Sequence, residues 1–91
     1  MEFEWDETKS RANQGKHGVS FSDARNLWAV GNRLLEIPVI KEGEKRWVVI
    51  GEVGGKVWTA VITYRVKIRI ISFRLASKNE RGLYERKAEE G

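Results

Sequence analysis

Ninety-one residues with a net charge of +4 and no cysteine leave room for one hydrophobic core, since a chain this short buries only about 60–65% of its unfolded surface, and they exclude disulfides and thiolate metal ligands. Hydrophobic residues make up 41% of the chain, with four tryptophans and a single proline, which is too much apolar material for wholesale disorder. No apolar run approaches the roughly 18 residues of a membrane span, and the acidic opening MEFEWDE does not look like an export signal, so one cytoplasmic domain over 1–91 is expected.

In chain order, MEFEW alternates Phe3 and Trp5 with Glu2 and Glu4, the period of a short strand. Asp6 then caps a helix over ETKSRANQGKH, which stops at Gly18, a residue that accepts the left-handed conformation of a helix C-terminus. In SFSDARNLWAVG, Ser20 and Asp23 have capping-box spacing, Phe21, Ala24, Leu27 and Trp28 recur at helical spacing, and Gly31 is the stop. From Arg33 the period becomes that of strands. RLLEIPVI, KRWVVIGEV, KVWTAVITY and IRIISFR are β-branched and aromatic, and KEGE, GG and RVK are short enough to join them as antiparallel hairpins. Pro38 cannot donate to a ladder, which puts the first of these four strands at an edge. SKNE, Ser77 to Glu80, is a capping box that opens a final helix. The order β-α-α-β-β-β-β-α predicts an α+β domain: a twisted antiparallel sheet of four to five strands with two N-terminal helices and one C-terminal helix.

Charge is unevenly distributed. Residues 65–87 hold Arg65, Lys67, Arg69, Arg74, Lys78, Arg81, Arg86 and Lys87 against Glu80 and Glu85. Such a local cationic face attracts polyanions, nucleic acid first among them, although a solvated basic surface has the same composition.

Taken in order, FEWDETKSRANQGKHGVSFSDA, GEKRWVVIG, TYR and IRIISFRLASKNERGLY strongly resemble the BrnT family, the toxin component of bacterial toxin–antitoxin pairs, over nearly the whole chain. The resemblance implies a compact RelE-like endoribonuclease that inhibits translation and is neutralised by a BrnA-type antitoxin encoded beside it. It further implies that this antitoxin is a DNA-binding dimer that brings two toxin copies into a hetero-tetramer, so that operator DNA is met only through the antitoxin. One departure is Phe73, where the family's IS-x-R strand usually has a small residue; it is expected to alter either the local pocket or only the packing. The segment from Gly31 to Glu42 matches weakly, and nothing functional is carried over there.

Metal-independent RNA cleavage needs help in deprotonating the 2′-hydroxyl, cations around the phosphorane and a proton for the leaving 5′-oxygen. Arg65 and Arg74 fall on motif positions of the resemblance, and their planar forks can hold two phosphate oxygens at once, so they are the expected transition-state stabilisers. The bland alternative is that one of them pairs with Glu44 or Glu52 at the surface. Arg69, five residues before Arg74, faces the other side of the strand unless a bulge intervenes. Glu44 and Arg46 share a strand face, where the carboxylate either orients the guanidinium or acts as a base; otherwise they are solvated hairpin charges. Tyr64 and Tyr84 can stack on a base or donate a proton, unless they are core; Tyr84, three residues after Arg81, is the better candidate. His17, between Lys16 and Gly18, sits where a helix C-terminus favours cations, which explains it architecturally. KHGV at its family position adds a role as general acid or phosphate contact.

Lys9, Lys16, Arg69, Lys78 and Arg81 complete the expected RNA-binding set. Trp5, Trp28, Trp47 and Trp58 are either core or partner anchors. One histidine and scattered carboxylates make no metal constellation, GEVGGK joins two strands rather than opening a helix, and no serine sits in a nucleophile elbow, so no cofactor is expected. Two other functions fit the same residues: a non-catalytic basic module that binds nucleic acid or regulates its operon with a partner, and an interaction domain facing an acidic protein.

Overall fold

Local signals set the first third of the chain. In the computed structural model, which describes residues 1–90, the Asp6 carboxylate accepts the backbone N–H groups of Thr8 and Lys9, and α1 (Glu7–His17) ends at Gly18 with φ 77°, a conformation free of steric cost only for glycine. Ser20 and Asp23 form the reciprocal capping box. The helix they open is shorter than its periodicity suggests: α2 (Phe21–Ala24) tightens into a 3₁₀ turn over Arg25–Trp28. That turn buries Leu27 completely, and the Asn32 side chain donates to the Leu27 carbonyl, so packing and a side-chain cap replace a further helical turn.

The strands are β1 (Phe3–Trp5), β2 (Leu34–Lys41), β3 (Glu44–Val53), β4 (Lys56–Tyr64) and β5 (Ile68–Leu75), followed by α3 (Lys78–Glu90). They form one five-stranded sheet in the order β1-β5-β4-β3-β2, in agreement with the α+β class and element order read from the sequence. β2 carries Pro38 at the outer edge, where its missing N–H costs no ladder bond. The four long strands are antiparallel, whereas β1 joins β5 in parallel, Phe3 beside Ile68 and Trp5 beside Ile70. A parallel neighbour needs a long crossover, and all of the chain from α1 to β4 supplies it.

One residue breaks the ladder between β4 and β5. Ile62 pairs with Ile70 and Val61 with Ser72, so Ile71 is a bulge. Ile68, Ile70 and Phe73 consequently all face the helices, where they pack with Val49, Ala60 and Ile62 against Phe21, Ala24 and Leu27. Phe73 stacks on Trp58 with centroids 5.1 Å apart, so its bulk is absorbed in core packing. Trp5, Trp28, Trp47 and Trp58 all pack around this core.

The opposite sheet face is covered at one end by α3. Glu80 of α3 accepts both Nη groups of Arg74 at 2.7 and 3.0 Å, the Thr59 hydroxyl at 3.1 Å and the Ser77 N–H at 2.8 Å. The Tyr84 hydroxyl donates to the Arg33 carbonyl at 3.0 Å. These bonds, the Arg74 pair foremost, hold the Glu80 carboxyl down at about 2, against an ordinary 4.5. A carboxylate with a depressed pKa stabilises the fold fully above its ordinary value and loses that contribution as pH falls towards the folded one. Glu80→Gln is therefore expected to lower the melting temperature at pH 7, with its gap to wild type closing between about pH 4.5 and 2. Circular-dichroism melts across that range measure the gap, and one that stays constant with pH would show that the ion pair does not anchor α3.

Candidate functional site

The bulge at Ile71 decides which side chains share the uncovered part of the sheet. Side chains alternate along a strand, but the extra residue lets Arg69, Ser72 and Arg74 face the same way, beside Thr63, Val61 and Thr59. Beyond Trp5 the edge of β5 has no strand partner, and α1 lies along it instead. The Asn13 amide donates to the Phe73 carbonyl at 2.7 Å and to the Val19 carbonyl at 2.9 Å. Lys9, Asn13 and Lys16 recur at helical spacing, so fixing Asn13 to β5 also sets both lysines, with His17, beside the bulge.

Two recesses meet at Ile71 and Ser72. One is walled by Lys9, Lys16 and His17 of α1, the other by Lys41 and Arg46 of the β2–β3 hairpin. Five basic side chains thus border one short stretch of β5. Arg46 is the distinctive member. Its side chain is only 23% exposed, yet its buried Nε has no hydrogen-bond partner, and Glu44 approaches its Nη2 only to 3.8 Å. Thr63, one step beyond the Trp47–Ile62 pair of β3 and β4, likewise has a buried hydroxyl without a partner. Buried polar atoms are almost always paired, so this row has unused hydrogen-bonding capacity.

The structure brings together Lys9, Lys16, His17, Arg46 and, at the hairpin end, Glu44. It separates the two arginines expected as transition-state stabilisers. Arg74 lies opposite Thr59, while Arg65 sits in the exposed β4–β5 turn six residues further on, about 20 Å along the strand. They do not converge on one phosphate. The fork of Arg74 is held by Glu80, six residues away, and not by Glu44 or Glu52. The bulge overrides the opposite-face expectation for Arg69, whose Nη1 donates to Glu4 at 3.1 Å.

Tyr84 is 7% exposed and lines a separate groove of about 640 Å³ under α3 with Arg33, Lys56 and Arg81. This is the larger cavity, but Glu52 and Glu85 offset two of its three cations, and the Tyr84 hydroxyl is already committed. Lys78 lies on the outer side of α3 with Leu83 and Arg86. Tyr64 lies on the helix-side face, edge-on to Trp47. Burial, followed by the bond its hydroxyl donates to Glu36, pushes it up to about 12, so the phenol stays protonated at neutral pH.

A model of the family described as ribonuclease toxin, BrnT, of type II toxin–antitoxin system matches residues 5–80. The chain belongs to the BrnT family. The matched BrnT segment contains α1, the hairpin cations and the bulge, and it ends before Arg81 and Tyr84. A comparison with curated proteins finds no match. Among the described residues no three His, Cys, Asp or Glu side chains gather as metal ligands, and no helix is long and apolar enough to cross a membrane.

Sequence reasoning overlooked Asn13, Lys41, Ser72 and Thr63. The doublet Ile70–Ile71, which interrupts the alternation of IRIISFR, is the available signal for the bulge that presents Ser72; nothing local marks Asn13 or Lys41. Because Asn13 alone ties α1 to the bulged strand among the side-chain bonds described, Asn13→Ala is expected to cost about 1–3 kcal/mol, the cost of leaving its partners unpaired. Urea denaturation checks this, and an unchanged midpoint would contradict it.

Proposed function

We propose that this BrnT-family ribonuclease cuts RNA internally without a metal, using the cleft at Ile71 and Ser72. The 2′-hydroxyl gives its proton to water as its oxygen bonds to the adjacent phosphorus and the P–O5′ bond breaks, leaving a 2′,3′-cyclic phosphate and a 5′-hydroxyl. The observation that carries this reading is Arg46, a half-buried guanidinium with an unpartnered Nε, beside a groove walled by Lys9, Lys16 and His17. Preorganised cations of this kind stabilise the dianionic phosphorane because they need no reorganisation as charge develops. In this reading His17 donates the proton that the departing 5′-oxygen takes up, Arg65 meets RNA at the rim, and Arg74 positions α3 through Glu80.

Purified protein in excess EDTA is expected to release fragments with 2′,3′-cyclic or 3′-phosphate ends, and Arg46→Ala to slow single-turnover cleavage by about 10²-fold, the scale of one lost transition-state donor. Fragments with 3′-hydroxyl ends, loss of activity on chelation, or wild-type rates in a folded Arg46→Ala protein would contradict the mechanism.

Membership of a type II toxin–antitoxin family implies an antitoxin and an RNA target. In our reading the antitoxin is a BrnA-type, DNA-binding dimer that holds two copies of this chain in a cytoplasmic hetero-tetramer, relieves inhibition of translation and alone touches operator DNA. Since the tryptophans pack on the core, the exposed apolar anchors open to it include Val30, Ile40, Val66, Leu75 and Leu83. Co-expression with the neighbouring gene, with a tag on one product, is expected to yield both proteins and to relieve growth arrest. A tagged toxin that purifies alone while growth stays arrested would refute the pairing.

A further inference from the structure

We infer that the recess on the hairpin side of Ser72 is a guanine seat, so that the cleft selects its cut site by one base; this rests on the RNA-cleaving reading above. The recess measures about 300 Å³, the lower end of ligand-sized pockets. Its floor is aliphatic and comes from four separate strands: Val39, Val48, Val61 and Ile71. Such a floor suits the apolar face of a base, while its only polar wall groups are Lys41, Arg46 and Ser72.

The rim supplies the discrimination. Lys41 and Glu44 are cross-strand partners joined by the two-residue turn Glu42–Gly43, with φ values of 52° and 77°. Such a tight turn needs positive φ at both positions and fixes the register of its strands. A donor-only ammonium that lines the recess therefore stands opposite an acceptor-only carboxylate on the neighbouring strand, whose Oε2 lies 3.8 Å from Nη2 of Arg46, another lining residue; among the described residues Lys41 makes no ion pair. Guanine presents an acceptor at O6 beside donors at N1 and N2, which matches Lys41 to O6 and both oxygens of Glu44 to the N1–H and N2–H groups. Adenine presents the reverse pattern, its N6 amino group towards the ammonium and its N1 lone pair towards the carboxylate. Uracil offers O4 and N3–H but lacks the second donor. A site whose polar groups are left unpaired by the wrong partner rejects it strongly, so the order is guanine, then uracil, then adenine and cytosine. Arg46, between this recess and the α1 wall, remains free for the phosphate.

Uncleavable product analogues test the seat apart from catalysis. Guanosine 3′-monophosphate and adenosine 3′-monophosphate are titrated into methyl-labelled wild-type protein and followed by NMR. The guanine nucleotide is expected to shift the methyl signals of Val39, Val48, Val61 and Ile71 and to bind at least about 10-fold tighter than the adenine nucleotide, a ratio that Glu44→Gln brings towards one. Equal affinities, shifts confined to the groove of Arg33 and Tyr84, or no guanine-nucleotide binding where inorganic phosphate already perturbs Lys9 and Arg46 would overturn the seat. Cleavage of RNA with no base preference would remove this inference and leave the ribonuclease reading standing. Guanine-selective binding by a protein that never cuts RNA would do the reverse.

Discussion

The one-residue bulge at Ile71 is the constraint on which the rest depends. A regular β5 would put Ile68, Ile70, Ser72 and Arg74 on one face and Phe73 on the other, burying a serine and an arginine in the core and exposing a phenylalanine. By letting Ile62 pair with Ile70 and Val61 with Ser72, the bulge keeps Ile68, Ile70 and Phe73 in the core and sends Ser72 and Arg74 to the open face. A register slip of one residue exchanges every side chain between faces. Here that exchange occurs mid-strand, and it builds the core and the cleft from the same eight residues.

Two attachments then shape the open face. Asn13 saturates the Phe73 carbonyl where β1 has run out, which brings the cations of α1 against the bulge. At the other end Arg74 and Glu80 clamp α3 over Thr59, closing that end of the sheet face and leaving the part around Val48, Val61 and Ser72 partly exposed. The difference between the two arginines follows. Arg74 has a carboxylate at hydrogen-bond distance, whereas Arg46 has one only at 3.8 Å and a buried Nε without a partner. A guanidinium kept partly desolvated and under-satisfied binds an incoming anion at little further desolvation cost, and this separates a binding group from an ion pair.

Much of the fold was legible because its determinants are local. Asp6, Gly18, the Ser20–Asp23 box and Ser77–Glu80 act within a few residues of themselves, and the β-branched and aromatic content of KRWVVIGEV and KVWTAVITY reports strands directly. Pro38 marked the edge through its missing N–H. The candidate site was less legible because its members meet only through tertiary structure. Lys16 and His17 could be read as helix-end cations, but the placing of α1 with Lys9, Lys16 and His17 beside the bulge depends on Asn13 reaching a carbonyl sixty residues away. Glu80 read correctly as a cap, yet its larger role, gripping Arg74 across the sheet, has no signature in spacing. Motif position and guanidinium geometry single out both Arg65 and Arg74, and neither shows that they lie at opposite ends of β5.

The central claim is the location of the RNA-binding face: the cleft at the bulge, not the larger groove under α3. The most direct measurement is the chemical-shift footprint of a short oligoribonucleotide made uncleavable by 2′-deoxy substitution, titrated into isotope-labelled protein. The largest perturbations are expected at Ile71, Ser72, Arg46, Lys9 and His17. A footprint centred instead on Arg33, Arg81 and Tyr84 would contradict it.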